Sequence, residues 1–191
     1  MENAKRKKPV AETPVILAEW DFEHNPGLDP ADFTGGYDQK IWWKCELGHR
    51  WITAIKYRTI GTKCPYCANK KAWAGFNDLA TLEPWLVDEG DYENNDGALP
   101  EHFTRYSNKT VWWKCGRNHS YPMMIKNRIY GGQDCPYCAN RKVWIGFNDL
   151  PTTNSRIAGE WDYDKNEGLR PGQFTIGSHK RIWWRCKHNH S

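Results

Sequence analysis

Two sets of four side chains in this 191-residue chain have the types and spacing to hold a metal ion. Cys45 and His49 are followed, after a gap, by Cys64 and Cys67 in the turn Cys64-Pro65-Tyr66-Cys67. Cys115, His119, Cys135 and Cys138 repeat the arrangement, ending in Cys135-Pro136-Tyr137-Cys138. Three thiolates and an imidazole suit tetrahedral Zn²⁺, and a flexible gap lets two close pairs meet on one ion. Four protein donors leave no open position, so the chemistry is structural rather than catalytic. A third copy supplies Cys186 and His190 before Ser191, which is half of a site. Cys-Pro-Tyr-Cys is also a redox tetrapeptide, but a thioredoxin-type site needs a βαβ setting and no upstream Cys-x3-His partner.

Something must bring each pair of donors together. Each set follows a tryptophan pair, Trp42-Trp43, Trp112-Trp113 or Trp183-Trp184, and the first cysteines lie 70 and 71 residues apart. Ile41 to Cys45 reads as a strand, Cys-x3-His as a turn, and Trp51 to Ile55 as the returning strand. That makes a hairpin with two ligands at its tip, followed by a Cys-x2-Cys knuckle. Thr13 and Pro14 read as an N-cap and first-turn proline of a short helix through Ile16, Leu17 and Trp20. Asn25-Pro26-Gly27, Asn94-Asn95 and Asn166-Glu167-Gly168 read as turns, and Phe33, Phe103 and Phe174 as satellite core. Residues 75–79 and 146–150, both GFNDL, read as turns into the next repeat.

The expected architecture is therefore small α+β zinc-stabilised modules in tandem, each a β-hairpin plus a knuckle with short flanking helices. Its boundaries are a flexible basic tail at 1–12, module repeats at 13–79 and 80–150, and an incomplete repeat at 151–191. Units of this size bury too little apolar surface to fold by burial alone, which is the need a metal meets. The two complete sites account for two Zn²⁺ ions, the third being incomplete.

The net charge of +4 hides a segregation. Residues 9–39 carry −7 and 40–72 carry +7, then 73–110 carry −6 and 111–142 carry +5. Basic modules alternating with acidic spacers suggest a polyanionic partner, or modules that dock on their own spacers. No stretch is apolar enough to span a membrane, and no signal segment precedes the cysteines, so the expected setting is a reducing cytoplasm. Phosphate-binding glycine loops, Ser-His-Asp orders and paired carboxylates do not recur with the repeats. No enzyme is expected.

Trp42-Trp43-Lys44-Cys45, Gly48-His49, Trp51, Arg58, Gly61 and Cys64-Pro65-Tyr66-Cys67 resemble a family of tandem repeats found in bacteria and viruses. These are described as probable zinc-ribbon or treble-clef zinc fingers. The GFNDL segments and the Glu-Trp-Asp triplets at Glu19 and Glu160 add to the resemblance. It implies a string of zinc modules, often beside nuclease domains, with nucleic acid as the presumed ligand. Two departures stand out: Asn118 replaces Gly48, and Glu89-Gly90-Asp91 replaces Glu-Trp-Asp.

The function expected is a nucleic-acid-binding module, for DNA ahead of RNA, that targets a nuclease or other protein partner. The alternative is a protein-interaction scaffold with purely structural zinc. Phosphate-contact candidates recur in register: Lys44, Arg58, Lys70 and Lys71 match Lys114, Arg128, Arg141 and Lys142. Adjacent strand residues face opposite ways, so one tryptophan of Trp42/Trp43 and of Trp112/Trp113 is a candidate stacking platform.

Overall fold

Strand formation follows the alternation around each tryptophan pair. In the computed structural model, which describes residues 8–191, β1 (Lys40–Lys44) pairs antiparallel with β2 (Arg50–Ala54). Trp43 stands opposite Trp51 and Trp42 opposite Ile52, so one tryptophan goes to the core and its neighbour outward. The second hairpin repeats the register: β3 (Thr110–Lys114) pairs with β4 (Ser120–Met124), Trp113 opposite Tyr121 and Trp112 opposite Pro122. Trp43 and Trp113 are 0% and 2% exposed, and their indole N–H groups donate to Thr53 O and Met123 O, both at 3.0 Å.

Each returning strand runs straight into a helix that sequence patterning does not reveal, α2 (Ile55–Thr59) and α4 (Ile125–Tyr130). Elements this short show too little of a 3.6-residue period to be recognised. Tertiary contacts fix them instead, since Ile55 and Ile125 are fully buried and the Thr59 hydroxyl donates to Gly35 O at 2.5 Å. The helix α1 (Pro14–Leu17) starts with Pro14 as the spacing predicts, but Thr13 makes no side-chain cap and the helix ends before Trp20.

The other edge of the tryptophan strand is closed by the acidic segment before it. Trp20 bridges Trp43, Gly90 bridges Trp113, and Trp161 bridges Trp184. The Asp21 N–H donates to Trp42 O at 3.3 Å and the Lys44 N–H to Glu19 O at 2.8 Å. Beyond this bridge an asparagine side chain stands in for a strand residue. Asn25 Nδ2 donates to Trp42 O at 2.8 Å while its Oδ1 accepts from the Trp42 N–H at 2.9 Å. Asn95 treats Trp112 the same way at 2.9 and 2.7 Å, and Asn166 treats Trp183 at 2.7 and 2.9 Å. Sequence analysis sees only turn formers at these positions; the carboxamide, with a donor and an acceptor side by side, is what the open edge requires.

The chain forms two compact units that do not follow the repeat boundaries. The first comprises residues 8–84 with Pro100–Thr104, and its core joins Val10, Ile16, Trp20, Phe33, Ile41, Trp43, Trp51 and Ile55. The basic tail expected over 1–12 is corrected at its end: Val10 is buried, and its N–H donates to Phe33 O at 2.8 Å. The remainder of that tail, residues 1–7, lies outside the described residues. The second unit comprises Trp85–Leu99 and residues 105–191. It contains the second hairpin, with Leu86, Tyr121 and Ile125 buried, and the third repeat's cluster of Leu150, Ala158 and Trp161 backed by Phe174 and Ile182.

Residues 100–104 leave their own repeat because a short helix captures them. The helix α3 (Leu79–Leu82) opens inside GFNDL, the Leu79 N–H donates to Phe103 O at 2.9 Å, and Asp78 bridges Thr104. Leu150, which opens α5 (Leu150–Thr153), makes the same bond to Phe174 O at 2.8 Å, with Asp149 bridging Thr175. A further helix, α6 (Ser155–Gly159), follows under an Asn154 cap. Gly90 lacks the side chain that Trp20 and Trp161 send to the core, and the Tyr92 ring lies close over it instead. Among the described residues no helix is long and apolar enough to cross a membrane.

Candidate metal centres

The turn joining β1 to β2 holds the first ligand pair by backbone geometry. The Cys45 N–H donates to His49 O at 3.0 Å and the Gly48 N–H to Cys45 O at 2.8 Å. This closure needs a left-handed residue before the histidine, and Gly48 has φ +81°. Asn118 fills that place in the second module at φ +62°, so the departure from glycine preserves the turn, asparagine tolerating this region better than other side chains.

The second pair sits in the knuckle. The Ala68 N–H donates to Cys64 O at 3.0 Å, and the Lys70 and Lys71 N–H groups both converge on Pro65 O at 2.8 and 3.1 Å. The second knuckle matches, with Arg141 and Lys142 donating to Pro136 O at 2.8 and 3.0 Å.

These turns bring four donors together in each module. His49 Nδ1 lies 3.5 Å from Cys45 Sγ, 3.9 Å from Cys64 Sγ and 3.3 Å from Cys67 Sγ, and Cys45 Sγ lies 3.7 Å from Cys67 Sγ. His119 Nδ1 lies 3.5, 3.5 and 3.3 Å from Cys115, Cys135 and Cys138 Sγ, with Cys115 and Cys138 Sγ 3.9 Å apart. A tetrahedron built on Zn–S of about 2.3 Å and Zn–N of about 2.0 Å has edges of roughly 3.8 Å between sulfurs and 3.5 Å from sulfur to nitrogen. The donors already stand at those edges, and both sites fit structural Zn²⁺. Without a cation, burial and the adjacent Cys64 and Cys45 sulfurs push the Cys67 thiol up to about 12, and burial with the Cys135 and Cys115 sulfurs pushes Cys138 up to about 12. A divalent ion removes that obstacle by neutralising the thiolates.

The half-site folds as a half-site. The Cys186 N–H donates to His190 O at 2.9 Å and the Asn189 N–H to Cys186 O at 2.9 Å, the same turn as in the complete modules. Cys186 and His190 belong to no metal-holding cluster among the described residues. Asp21, Glu23 and His24 do lie together, but Arg50 pairs with both carboxylates and His24 Nδ1 lies 3.1 Å from Asp21. That group is an ion-pair network.

A family model described as a probable treble clef zinc finger domain matches residues 16–70, 86–141 and 157–191. The chain belongs to this probable treble clef zinc finger family. Each match contains one tryptophan pair, and the third treble clef segment ends with the half-site. A comparison with curated proteins returns no match.

The treble clef scaffold sorts the remaining candidates. Trp43 and Trp113 are core and unavailable for stacking, while Trp42 is half-buried and Trp112 exposed on the outer hairpin face. Arg58 is buried at 7% exposure and ion-paired with Glu19. Arg128 pairs with Glu89 at 2.6 Å and lies over the Trp85 ring at 5.0 Å. Both arginines therefore tie an acidic spacer to a helix, their guanidinium groups already engaged by Glu19 and Glu89. Lys44 is exposed, and Lys114 approaches Asp91 at 3.9 Å. Lys70, Lys71, Arg141 and Lys142 are all exposed beside the exposed ligands Cys67 and Cys138.

Sequence analysis misses the aromatic cover on each metal centre. The Phe76 and Trp73 rings lie 4.4 and 5.1 Å from the His49 ring, and Phe147 and Trp144 lie 4.4 and 4.9 Å from His119. Asn77 holds this cover down: its Oδ1 accepts from the Trp73 N–H at 2.7 Å, and its Nδ2 donates to Tyr66 O at 2.7 Å and Lys71 O at 3.0 Å. Asn148 repeats the three bonds at 2.7, 2.7 and 2.8 Å. The signal was the identical GFNDL after both knuckles, which a turn alone does not require.

Proposed function

We propose that this chain is a zinc-organised nucleic-acid-binding array that delivers a nuclease or other partner protein to its target. The observation carrying this reading is the fate of the positive charge. In the first unit Arg50, Lys56 and Arg58 are paired with Asp21, Glu23, Asp38 and Glu19 of the acidic spacer. The two basic residues of each knuckle remain exposed and take part in no ion pair among the described residues. Exposed cations without a carboxylate partner, fixed beside a rigid metal centre, are suited to a polyanion, and DNA is the first ligand to try. Arg141 alone of the four donates to a backbone carbonyl, that of Asp134, at 2.7 Å.

The scaffold alternative draws on the same ion pairs, since a module neutralised by its own spacer has less need of a polyanion. Binding of zinc-loaded protein to labelled single- and double-stranded DNA and RNA, titrated with salt, separates the two. The nucleic-acid reading expects log affinity to fall linearly with log salt, by about 0.7 to 0.9 per phosphate neutralised. Failure to bind any of them at low salt rejects it in favour of the scaffold.

A further inference from the structure

We propose that each knuckle face grips an unpaired polynucleotide strand at two points. Lys70 and Lys71, or Arg141 and Lys142, hold phosphates, and the indole of Trp73 or Trp144 stacks on a base. This inference rests on the nucleic-acid reading and locates its site.

Four observations converge on this face. The tryptophans are large apolar groups left 40% and 38% exposed. Each is fixed from behind, Trp73 by Tyr66 at 4.8 Å and by the His49 ring, Trp144 by Tyr137 at 4.9 Å and by the His119 ring. The same asparagine that holds the tryptophan N–H also holds the backbone of the second basic residue, so charge and ring form one rigid element. The arrangement occurs in both complete modules, each time on a knuckle whose cysteines are zinc ligands.

A flat ring open on one side can accept a base only if that base is not already stacked on both faces in a duplex, which selects single strands. The outer hairpin face is the rival, because Trp42, Trp112 and Trp183 are also accessible. Two of its three rings are already engaged by the chain itself. His24 sits against Trp42 at 5.4 Å and is itself 3.1 Å from Asp21, while Lys165 already lies over the Trp183 ring at 4.6 Å. The basic groups beside that face are also engaged, Arg50 with Asp21 and Glu23, whereas Lys70 and Lys71 enter no ion pair among the described residues. In the second module Arg141 donates to the Asp134 carbonyl at 2.7 Å, and Lys142 enters no ion pair among the described residues.

The test compares zinc-loaded full chain, Trp73→Ala with Trp144→Ala, and the conservative Trp73→Phe with Trp144→Phe. Each is titrated with labelled oligo(dT), oligo(U) and a duplex of equal length, and its zinc content is checked by native mass spectrometry. We expect single strands of either sugar to bind more tightly than the duplex. The alanine pair should lose about 5- to 150-fold for each base stacked, at unchanged salt slope, and phenylalanine should restore part of the loss. Replacing Lys70, Lys71, Arg141 and Lys142 by alanine should instead flatten the salt slope by roughly 0.7 per contact. Should the alanine pair lose zinc, the phenylalanine pair and the basic variant still decide. Equal or tighter duplex binding, single-strand affinity indifferent to Trp73 and Trp144, or a larger loss from Trp42→Ala than from Trp73→Ala overturns the proposal while leaving nucleic-acid binding in place. No binding of any strand at low salt overturns both.

Discussion

The first and third repeats place a tryptophan at matching points and treat it differently. Trp43 is sealed at 0% exposure, whereas Trp184 is 38% exposed. Yet each is bridged to the tryptophan before it, with rings 5.8 and 5.5 Å apart at a steep angle, and each has an asparagine clamped to its neighbour's backbone. A repeat is thus two halves. One is an acidic segment hydrogen-bonded to the tryptophan strand, and it forms in the third repeat without a returning strand. The other is the hairpin return, helix and knuckle, which closes the core and is organised by four metal ligands.

Removing zinc should separate the halves most sharply. In zinc-finger peptides metal binding is worth about 10–16 kcal/mol, far above the few kcal/mol available to a small core. Chelation is expected to abolish the near-ultraviolet dichroism of the enclosed Trp43, Trp51 and Trp113. Native mass spectrometry should count two ions per chain, falling to one in Cys45→Ser. A third ion would mean that Cys186 and His190 fill unaided, and the comparison would fail; a chelated protein with an unchanged aromatic signal would break it from the other side.

A smaller effect should distinguish the clamp in the two settings. Asn25→Ala orphans the N–H of Trp42 and leaves its C=O with the Asp21 N–H alone, at about 1–3 kcal/mol. In the first repeat β2 and the zinc ligands still hold the strand, so the module should stay folded with a lower denaturation midpoint. In the third repeat no returning strand backs residues 182–186 among the described residues. They are held by the bridge, the clamp, the Arg185 pairs with Asp162 and Asp164 and the packing of Ile182, so Asn166→Ala should loosen them more. Hydrogen exchange reports this directly: fast exchange at the Asp162 and Arg185 amides in Asn166→Ala, against retained protection at Asp21 and Lys44 in Asn25→Ala. Equal behaviour at both sites would show that the metal half contributes nothing to holding the strand.

The ligands, the hairpins and the tandem repeat were legible because each rests on residue type and spacing, which a sequence displays. Ligand geometry followed as well, since Cys-x3-His and Cys-x2-Cys turns admit few conformations. What stayed hidden depends on partners distant in sequence. Arg58 reads equally as a phosphate contact or as the partner of a spacer acid until Glu19 is seen beside it, and Asn25 reads as a turn until its carboxamide meets Trp42 seventeen residues on. The helix α2 is too short to show a period. Capture of residues 100–104 by the first unit could not be read because Thr104 contributes a backbone pairing to Asp78 and a hydroxyl bond to Asn69 O at 3.2 Å, neither of which leaves a pattern.

The smallest expected effect lies where the repeats join. Asp78 caps α3 through the Thr81 hydroxyl at 2.7 Å and N–H at 3.0 Å, and it accepts from the Gly75 N–H at 2.7 Å; Pro9, at the matching place in the first repeat, makes no such side-chain cap. Burial works to raise the Asp78 carboxyl, but these hydrogen bonds outweigh it and hold the group below its ordinary value. A depressed carboxylate stabilises the fold at every pH above its unfolded value and loses that contribution only as pH falls through the folded value. Asp78→Ala should therefore cost about 1 kcal/mol, and the cost should stay level from pH 8 to pH 5. Urea midpoints of wild type and variant across that range provide the measurement. A difference that narrows before the ordinary carboxylate range, near pH 4, would mean that Asp78 titrates too high to be the charged cap, and that the joint between repeats is held by the Leu79 to Phe103 backbone bond alone.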